Sequence, residues 1–326
     1  MKKRIITVMM AVMMVFSVTA CTKKQAKEAA SDAADHKIKV VTTIFPEYDW
    51  VKQIAGNEID RYDLTMLLDN GVDLHSYQPT AQDIAKISDC DLFIYVGGES
   101  DSWVEHALKE ATNKNMRVIN LLDVLGGSIK EEEVKEGMEA EEEEEEEPEY
   151  DEHVWLSVRN AEVLVNEIEK NLSEIDPDHA DVYMQNSKNY VSDLQGLDKD
   201  YQDVVDHASI KTVLFGDRFP FRYFVDDYGL DYYAAFVGCS AESEASFETI
   251  KFLAEKVDEL NLKTVLTIDN SDQKIAKTII ENTKNKDQNI LTLDSMQSTT
   301  SEDVKNGTTY LSVMKNNLEV LKEALK

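Results

Sequence analysis

The sequence predicts an α/β protein: two (β/α)4-like lobes joined by one long rigid helix, with a candidate metal site in the cleft between the lobes. Three observations support this. Strand-like stretches alternate with helix-like stretches in each half of the chain, which argues for parallel sheets covered on both faces. Between the halves, Tyr183, Tyr190, Leu194, Leu197, Tyr201 and Val204 recur at three- and four-residue steps, the period of an amphipathic helix. Histidines and carboxylates fall just past the ends of several strands, where open parallel sheets gather ligands.

The amino terminus is a separate object. Lys2, Lys3 and Arg4 precede the apolar stretch from Ile5 to Val18, and small residues follow. That is the pattern of a secretory signal, and the stretch is shorter than the roughly 20 residues a bilayer span needs. The ending Val18-Thr19-Ala20-Cys21 resembles the lipobox of bacterial lipoproteins. It implies a signal peptide over 1–20, lipidation at Cys21 and a flexible tether over 21–36. The product would be extracytoplasmic, lipid-anchored to the outer face of the cell membrane.

The amino-terminal lobe is expected over 37–175. Its strands read at 37–45, 62–68, 91–97 and 117–122, with helices after Pro46, after Pro79 and over about 100–115. The glutamate-rich segment 129–149 is a block of like charge, expected to repel itself and hold no fixed structure. The linking helix is expected over 176–207. Asp176-Pro177 suits its start, a capping aspartate followed by proline at the first helical position. A helix of roughly 30 residues is about 45 Å long, enough to run past both lobes. The carboxyl-terminal lobe takes 208–326, with strands at 211–216, 230–236, 263–269 and 289–294 and helices at 219–229, 246–261, 273–284 and 307–325.

With 64 acidic against 34 basic residues, the formal net charge of −30 disfavours nucleic acid and anionic membrane as partners and favours cations. Beyond Cys21 only Cys90 and Cys239 remain, in different halves, which is no disulfide framework. Both read as small buried apolar side chains.

Two histidines stand out. His75 sits in "DNGVDLHSYQPT" past the second strand, and His153 follows the acidic run. Asp217 follows "KTVLFG", Asp269 ends "KTVLTID" and Asp294 ends "NILTLD". Asp269, followed by Asn270 and Ser271, equally suits a turn. His36, His106, His179 and His207 lie in the tether or on polar helix surfaces. Neutral imidazole suits zinc and other transition metals, and carboxylates also suit manganese, so the set is compatible with either. A metalloenzyme with two histidines and a carboxylate is the rival class. Yet the chain has no G-x-S-x-G, no H-E-x-x-H and no G-x-G-x-x-G after a strand.

The blocks "VVTTIFPEYDWVKQIAG", "GVDLHSYQPTAQDIAKISDCDLFIYVGG", "DEHVWLSVRNA", "FRYFVDDYGL", "LTLDSM" and "TTYLSVMKNNLEVLKEAL" are similar to those of the zinc/manganese-binding lipoproteins of bacterial ABC importers, solute-binding proteins of the cluster A-I type. The resemblance runs from Lys37 to the end. It implies a monomeric, non-catalytic receptor that takes a divalent transition metal, zinc or manganese, and hands it to an ABC permease and its ATPase. A surface adhesin, another lipoprotein role, leaves no sequence signature. The resemblance also implies His75, His153 and Asp294 as ligands. Its usual third ligand lies ten residues before Tyr228, where this chain has Arg218, which has no lone pair to offer. Asp217, next to it, is the expected substitute if the loop is re-registered; water is the alternative. Glu242 and Glu244 stand further out. Leu74 and Gln78 depart from the usual residues around the first histidine. The acidic run is expected to form a flexible lip on the site, either concentrating cations there or serving as a plain disordered spacer.

Overall fold

The computed structural model describes residues 37–139, 149–240 and 244–326. The expected signal peptide, Cys21 and the tether lie outside the described residues, as do most of the glutamate run and Glu242.

In the first lobe, β1 (Ile38–Thr42), β2 (Tyr62–Met66), β3 (Leu92–Tyr95) and β4 (Arg117–Asn120) form one sheet in the order β2-β1-β3-β4. In the second, β5 (Thr212–Phe219), β6 (Asp231–Val237), β7 (Thr264–Thr267) and β8 (Asn289–Thr292) repeat that order as β6-β5-β7-β8. Every pairing is parallel. All eight strands fall where apolar runs placed them. "LFIY" and "TVLT" are almost wholly buried, as a sheet covered on both faces requires. In both sheets the strand order reverses between the first and third strands. Loops beyond the carboxyl ends there diverge and leave a crevice.

Helices cover the sheets: α1 (Phe45–Ala55), α2 (Ala81–Ser88), α3 (Val104–Lys109) and α4 (Leu121–Leu125) in the first lobe. After them comes α5 (Val158–Ile175), then α6 (Ala180–His207), the long connector. In the second lobe are α7 (Arg222–Tyr228), α8 (Phe247–Leu260), α9 (Lys274–Asn282), α10 (Ser301–Lys305) and α11 (Tyr310–Ala324). Starts are set by hydroxyl caps: Thr80, Ser157, Ser246, Thr300 and Thr309 each accept from the amide three residues on.

The connector differs from expectation at its start. Asp176 ends α5, and a single 3-10 turn, Pro177–His179, precedes α6. The Asp176 carboxylate makes no cap. It accepts from the Tyr183 hydroxyl at 2.8 Å and from Arg61 Nη2 at 3.1 Å. Helix α6 packs on α1 and α5 and on α11 of the second lobe, where the Tyr201 hydroxyl donates to the Met314 carbonyl at 2.5 Å. At 1.5 Å per residue it is about 42 Å long. Helix α5 is not among the expected helices, although Ala161, Leu164, Val165, Ile168 and Leu172 bury one face at helical spacing.

The segment expected to lack structure is built over 129–139. It leaves the first lobe and straps the second. Lys130 N donates to the Tyr223 hydroxyl at 3.0 Å, Lys130 and Lys135 pair with Asp226 and Asp231, and Glu139 N donates to the Ala235 carbonyl of edge strand β6 at 2.9 Å. Met138 is buried. A bridge between Glu131 and Tyr150 closes the base of the run. Like charge dominates the composition, but lysines at 130 and 135 and an apolar anchor at 138 supply local partners. Residues 140–148 are outside the described residues.

Candidate metal centre

His75 stands on a 3-10 turn, Leu74–Ser76, beyond β2. Asp73 caps that turn by accepting from His75 N at 3.0 Å, and Leu74, 1% exposed, pins it to the core. The His75 ring is oriented through Nδ1, 2.8 Å from Ser100 Oγ and 3.5 Å from Glu152 Oε2. Ser100 N in turn donates to Glu152 Oε1 at 2.9 Å. The chain reaches that carboxylate only because Gly98, at φ +81°, has no side chain; a Cβ there would lie 2.3 Å from Glu152 Oε1.

His153 precedes the 3-10 turn Val154–Leu156, whose three residues are all 0% exposed. Asp151 Oδ1 accepts both the His153 amide at 2.8 Å and Nδ1 at 3.0 Å. Trp155 Nε1 donates to the Ser295 carbonyl at 2.9 Å, and Tyr310, in α11, donates its hydroxyl to the Trp155 carbonyl at 2.7 Å. The Tyr223 hydroxyl, from α7, donates to the Asp151 carbonyl at 2.8 Å. The second lobe therefore grips the backbone that carries His153.

With each Nδ1 engaged, the two Nε2 atoms face one another at 3.1 Å. Two nitrogens on one tetrahedral zinc, at about 2.05 Å each, sit about 3.3 Å apart, so the pair is within a few tenths of an ångström of that spacing. A third side chain joins them: Cys239 Sγ and the ring nitrogens of His75 and His153 all lie within 4.8 Å of one another. Cys239 was expected to be an inert apolar side chain. Its sequence neighbourhood, "VGCSAE", has no second cysteine or histidine to mark it. Only the fold brings the end of β6 under the imidazoles.

Asp294 and Asp217 are not in this group. Asp294 Oδ1 accepts from Met296 N at 2.8 Å, turning the loop that follows β8. Asp217 Oδ1 accepts from Arg218 N at 2.9 Å, while its Oδ2 is buried without a hydrogen-bond partner. For Asp217 the difference lies in β5, which was expected to end at 216. The strand runs on to Phe219 with a register shift between Phe215 and Arg218, and that irregularity re-aims both side chains. Arg218 becomes a cross-lobe tie, 2.6 Å from Asp73 Oδ2 and 3.3 Å from the Ser240 carbonyl. Asp269 is a loop former: it accepts from Ser295 N at 2.7 Å, Ser295 Oγ at 2.6 Å and Ser298 N at 3.2 Å, and from the Ser298 hydroxyl. A cleft of about 450 Å³ opens between the lobes, lined by Asp73 and Ser76 on one side and Asp217, Arg218 and Ser240 on the other.

The electrostatics suit a cation. Burial, then repulsion from Asp151, raises the Glu132 carboxyl above its usual range, and burial does the same to Glu152. Burial and the His153 charge push the His75 imidazole down to about 3. At His153 burial opposes protonation, but the Asp151 charge and hydrogen bond outweigh it and the net direction is up. Burial and Asp269 raise Asp294 to about 6. Buried carboxylates around paired imidazoles lack a counter-charge that a divalent ion would supply.

Two parallel-sheet lobes joined by a long helix, with two imidazoles of the first lobe paired beside a thiol of the second, define a two-lobed protein with a candidate metal site. Residues 40–324 match the family described as zinc-uptake complex component A, periplasmic, and the chain belongs to that family. It is 33% identical to the zinc-binding lipoprotein AdcA of Streptococcus pneumoniae, over 89% of this chain and 56% of that protein. Thus the chain spans little more than half the length of the AdcA proteins it matches. It is 32% identical to the high-affinity zinc uptake system protein ZnuA of Bacillus subtilis, over 94% of this chain and 93% of that protein. The crystal structure of the Zn(II)-bound ZnuA-like domain of S. pneumoniae AdcA superposes with a TM-score of 0.69 at 31% identity, covering 89% of this chain and 99% of that one.

Proposed function

We propose that this protein is an extracytoplasmic receptor that captures a divalent transition metal, zinc in preference to manganese, between its lobes and delivers it to an ABC permease driven by a partner ATPase. The single observation carrying this reading is the His75–His153 pair, with Nε2 atoms 3.1 Å apart and each Nδ1 held by an oxygen. A fixed Nδ1–H leaves each Nε2 lone pair for an ion. The ion is cargo, and the chain itself catalyses no reaction. The zinc names of its relatives support the choice of metal. Lipidation at Cys21, a monomeric state and attachment to the outer face of the membrane belong to the same reading, and the lipobox supports the lipidation and the attachment. Asp294 and Asp217 are proposed as carboxylate donors that approach as the lobes close on the ion.

Calorimetric zinc titration tests this. His75→Ala and His153→Ala each reduce affinity severely, and Asp217→Ala and Asp294→Ala identify which carboxylate completes the set. Unchanged affinity in both histidine variants overturns the assignment.

A further inference from the structure

Taking the zinc-receptor reading as given, we propose that Cys239 is itself a metal ligand, and that its thiolate sets the preference of the site for zinc over manganese. The sulfur shares a 4.8 Å group with the two imidazoles that are already paired. The approach is built into the backbone. The preceding residue is Gly238, and a Cβ there would lie 3.0 Å from His153 Cε1, 3.1 Å from His153 Nδ1 and 3.0 Å from the Phe219 carbonyl. Any larger residue would press on the His153 ring and the Phe219 carbonyl, so glycine eases the close passage of the chain leaving β6 that presents the next side chain to that ring.

Cys239 is also held from both lobes. Its amide donates to Glu132 Oε1 at 3.0 Å, on the strap from the first lobe. The carbonyl of Ser240, one residue on, accepts from Arg218 Nη1 at 3.3 Å in the second. The same guanidinium pairs with Asp73, two residues before His75. Arg218 cannot ligate, but it ties together the chain segments that carry two donors which can.

The chemistry follows from the donor set. Thiolate is a soft ligand that selects zinc, whereas carboxylate, carbonyl and water suit manganese. Binding replaces the S–H bond of Cys239 by a metal–sulfur bond and releases that proton to solvent, with no change in oxidation state.

The test uses the full chain loaded with cobalt(II) or zinc. Wild type shows a near-ultraviolet sulfur-to-cobalt charge-transfer band, and zinc X-ray absorption shows one sulfur at about 2.3 Å beside nitrogen or oxygen at about 2.0–2.2 Å. Cys239→Ser loses the band and weakens zinc by at least the roughly 10–100-fold that loss of an outer-shell partner costs. Cys239→Asp narrows the zinc-over-manganese ratio in competition. Heat unfolding of the metal-free Cys239→Ser protein, matching wild type, separates ligation from folding. If cobalt binds wild type stoichiometrically, binding is abolished by His153→Ala and no sulfur band appears, the Cys239 assignment falls while the receptor reading stands. If wild type takes up neither cobalt nor zinc, both fall.

Discussion

Asp151→Asn separates charge from shape at the candidate metal centre. Asp151 is 2% exposed, and one of its oxygens receives both the amide and Nδ1 of His153. Asparagine keeps a carbonyl oxygen for both donors and so preserves the ring orientation, but removes the negative charge behind it. Loss of an outer-shell carboxylate costs about 10–100-fold in metal affinity, or about 1.4–2.7 kcal/mol. The upper half of that range is expected, because burial keeps water from screening the lost charge. The pH dependence gives a second readout. In wild type the Asp151 charge overcomes burial and raises the His153 imidazole above its ordinary value. Protons therefore compete with zinc at a pH above about 6.5, the usual imidazole value. Without that charge burial prevails, and the bend in affinity against pH moves to lower pH. The variant is expected to be much weaker than wild type near pH 8, with the gap narrowing on acidification. Competition titrations against a chelator of known affinity at several pH values measure both effects. A variant within about threefold of wild type near pH 8, with an unmoved bend, would refute the argument that Asp151 tunes His153.

Two further outcomes follow from the same geometry. Arg218→Met removes the bond to Asp73 that spans the lobes beside His75; a charge-assisted bond of about 1.5–3 kcal/mol is lost, and zinc should dissociate about tenfold faster or more in stopped-flow chelator chase. An unchanged release rate shows that the tie plays no part in holding the lobes closed. Glu47, 0% exposed, is pushed up to about 8, first by burial and then by Asp101, although its Oε2 accepts from Thr43 N at 2.8 Å and Ile44 N at 3.2 Å. An acid raised in the folded state contributes stability below its unfolded value of 4.5. That stability is lost as pH rises toward 8, at about 1.4 kcal/mol per unit. Denaturation of the metal-free protein across that window should therefore show wild type losing stability relative to Glu47→Gln as pH rises; parallel curves contradict this.

Much of the fold was legible because its signals are local. Apolar runs bounded by turns marked all eight strands, and the helical spacing of Tyr183, Tyr190, Leu194 and Tyr201 marked the connector. Helix α5 carries the same local signal in Ala161, Leu164, Val165, Ile168 and Leu172 at helical spacing, and was not among the expected helices. The built strap at 129–139 escaped because charge composition speaks for an average, whereas Lys130, Lys135 and Met138 find particular partners on the second lobe. His75 and His153 were legible as turn-borne histidines at strand ends. The place of Cys239 beside them was not, because no second cysteine or histidine lies within ten residues of it.

By itself the sequence determined what neighbouring residues decide together: two α/β lobes, the helix between them, the histidine-bearing turns and the acidic surplus. Which side chains share one small volume was left to the tertiary structure. Period and propensity act over a few residues, whereas the meeting of residues 75, 153 and 239 depends on how two sheets pack across α6. The irregularity in β5 then turns Arg218 toward Asp73 and leaves Asp217 with an unpartnered oxygen. A shift of register within a strand has no signature in composition, yet it falls where the chain places Asp217 and Arg218.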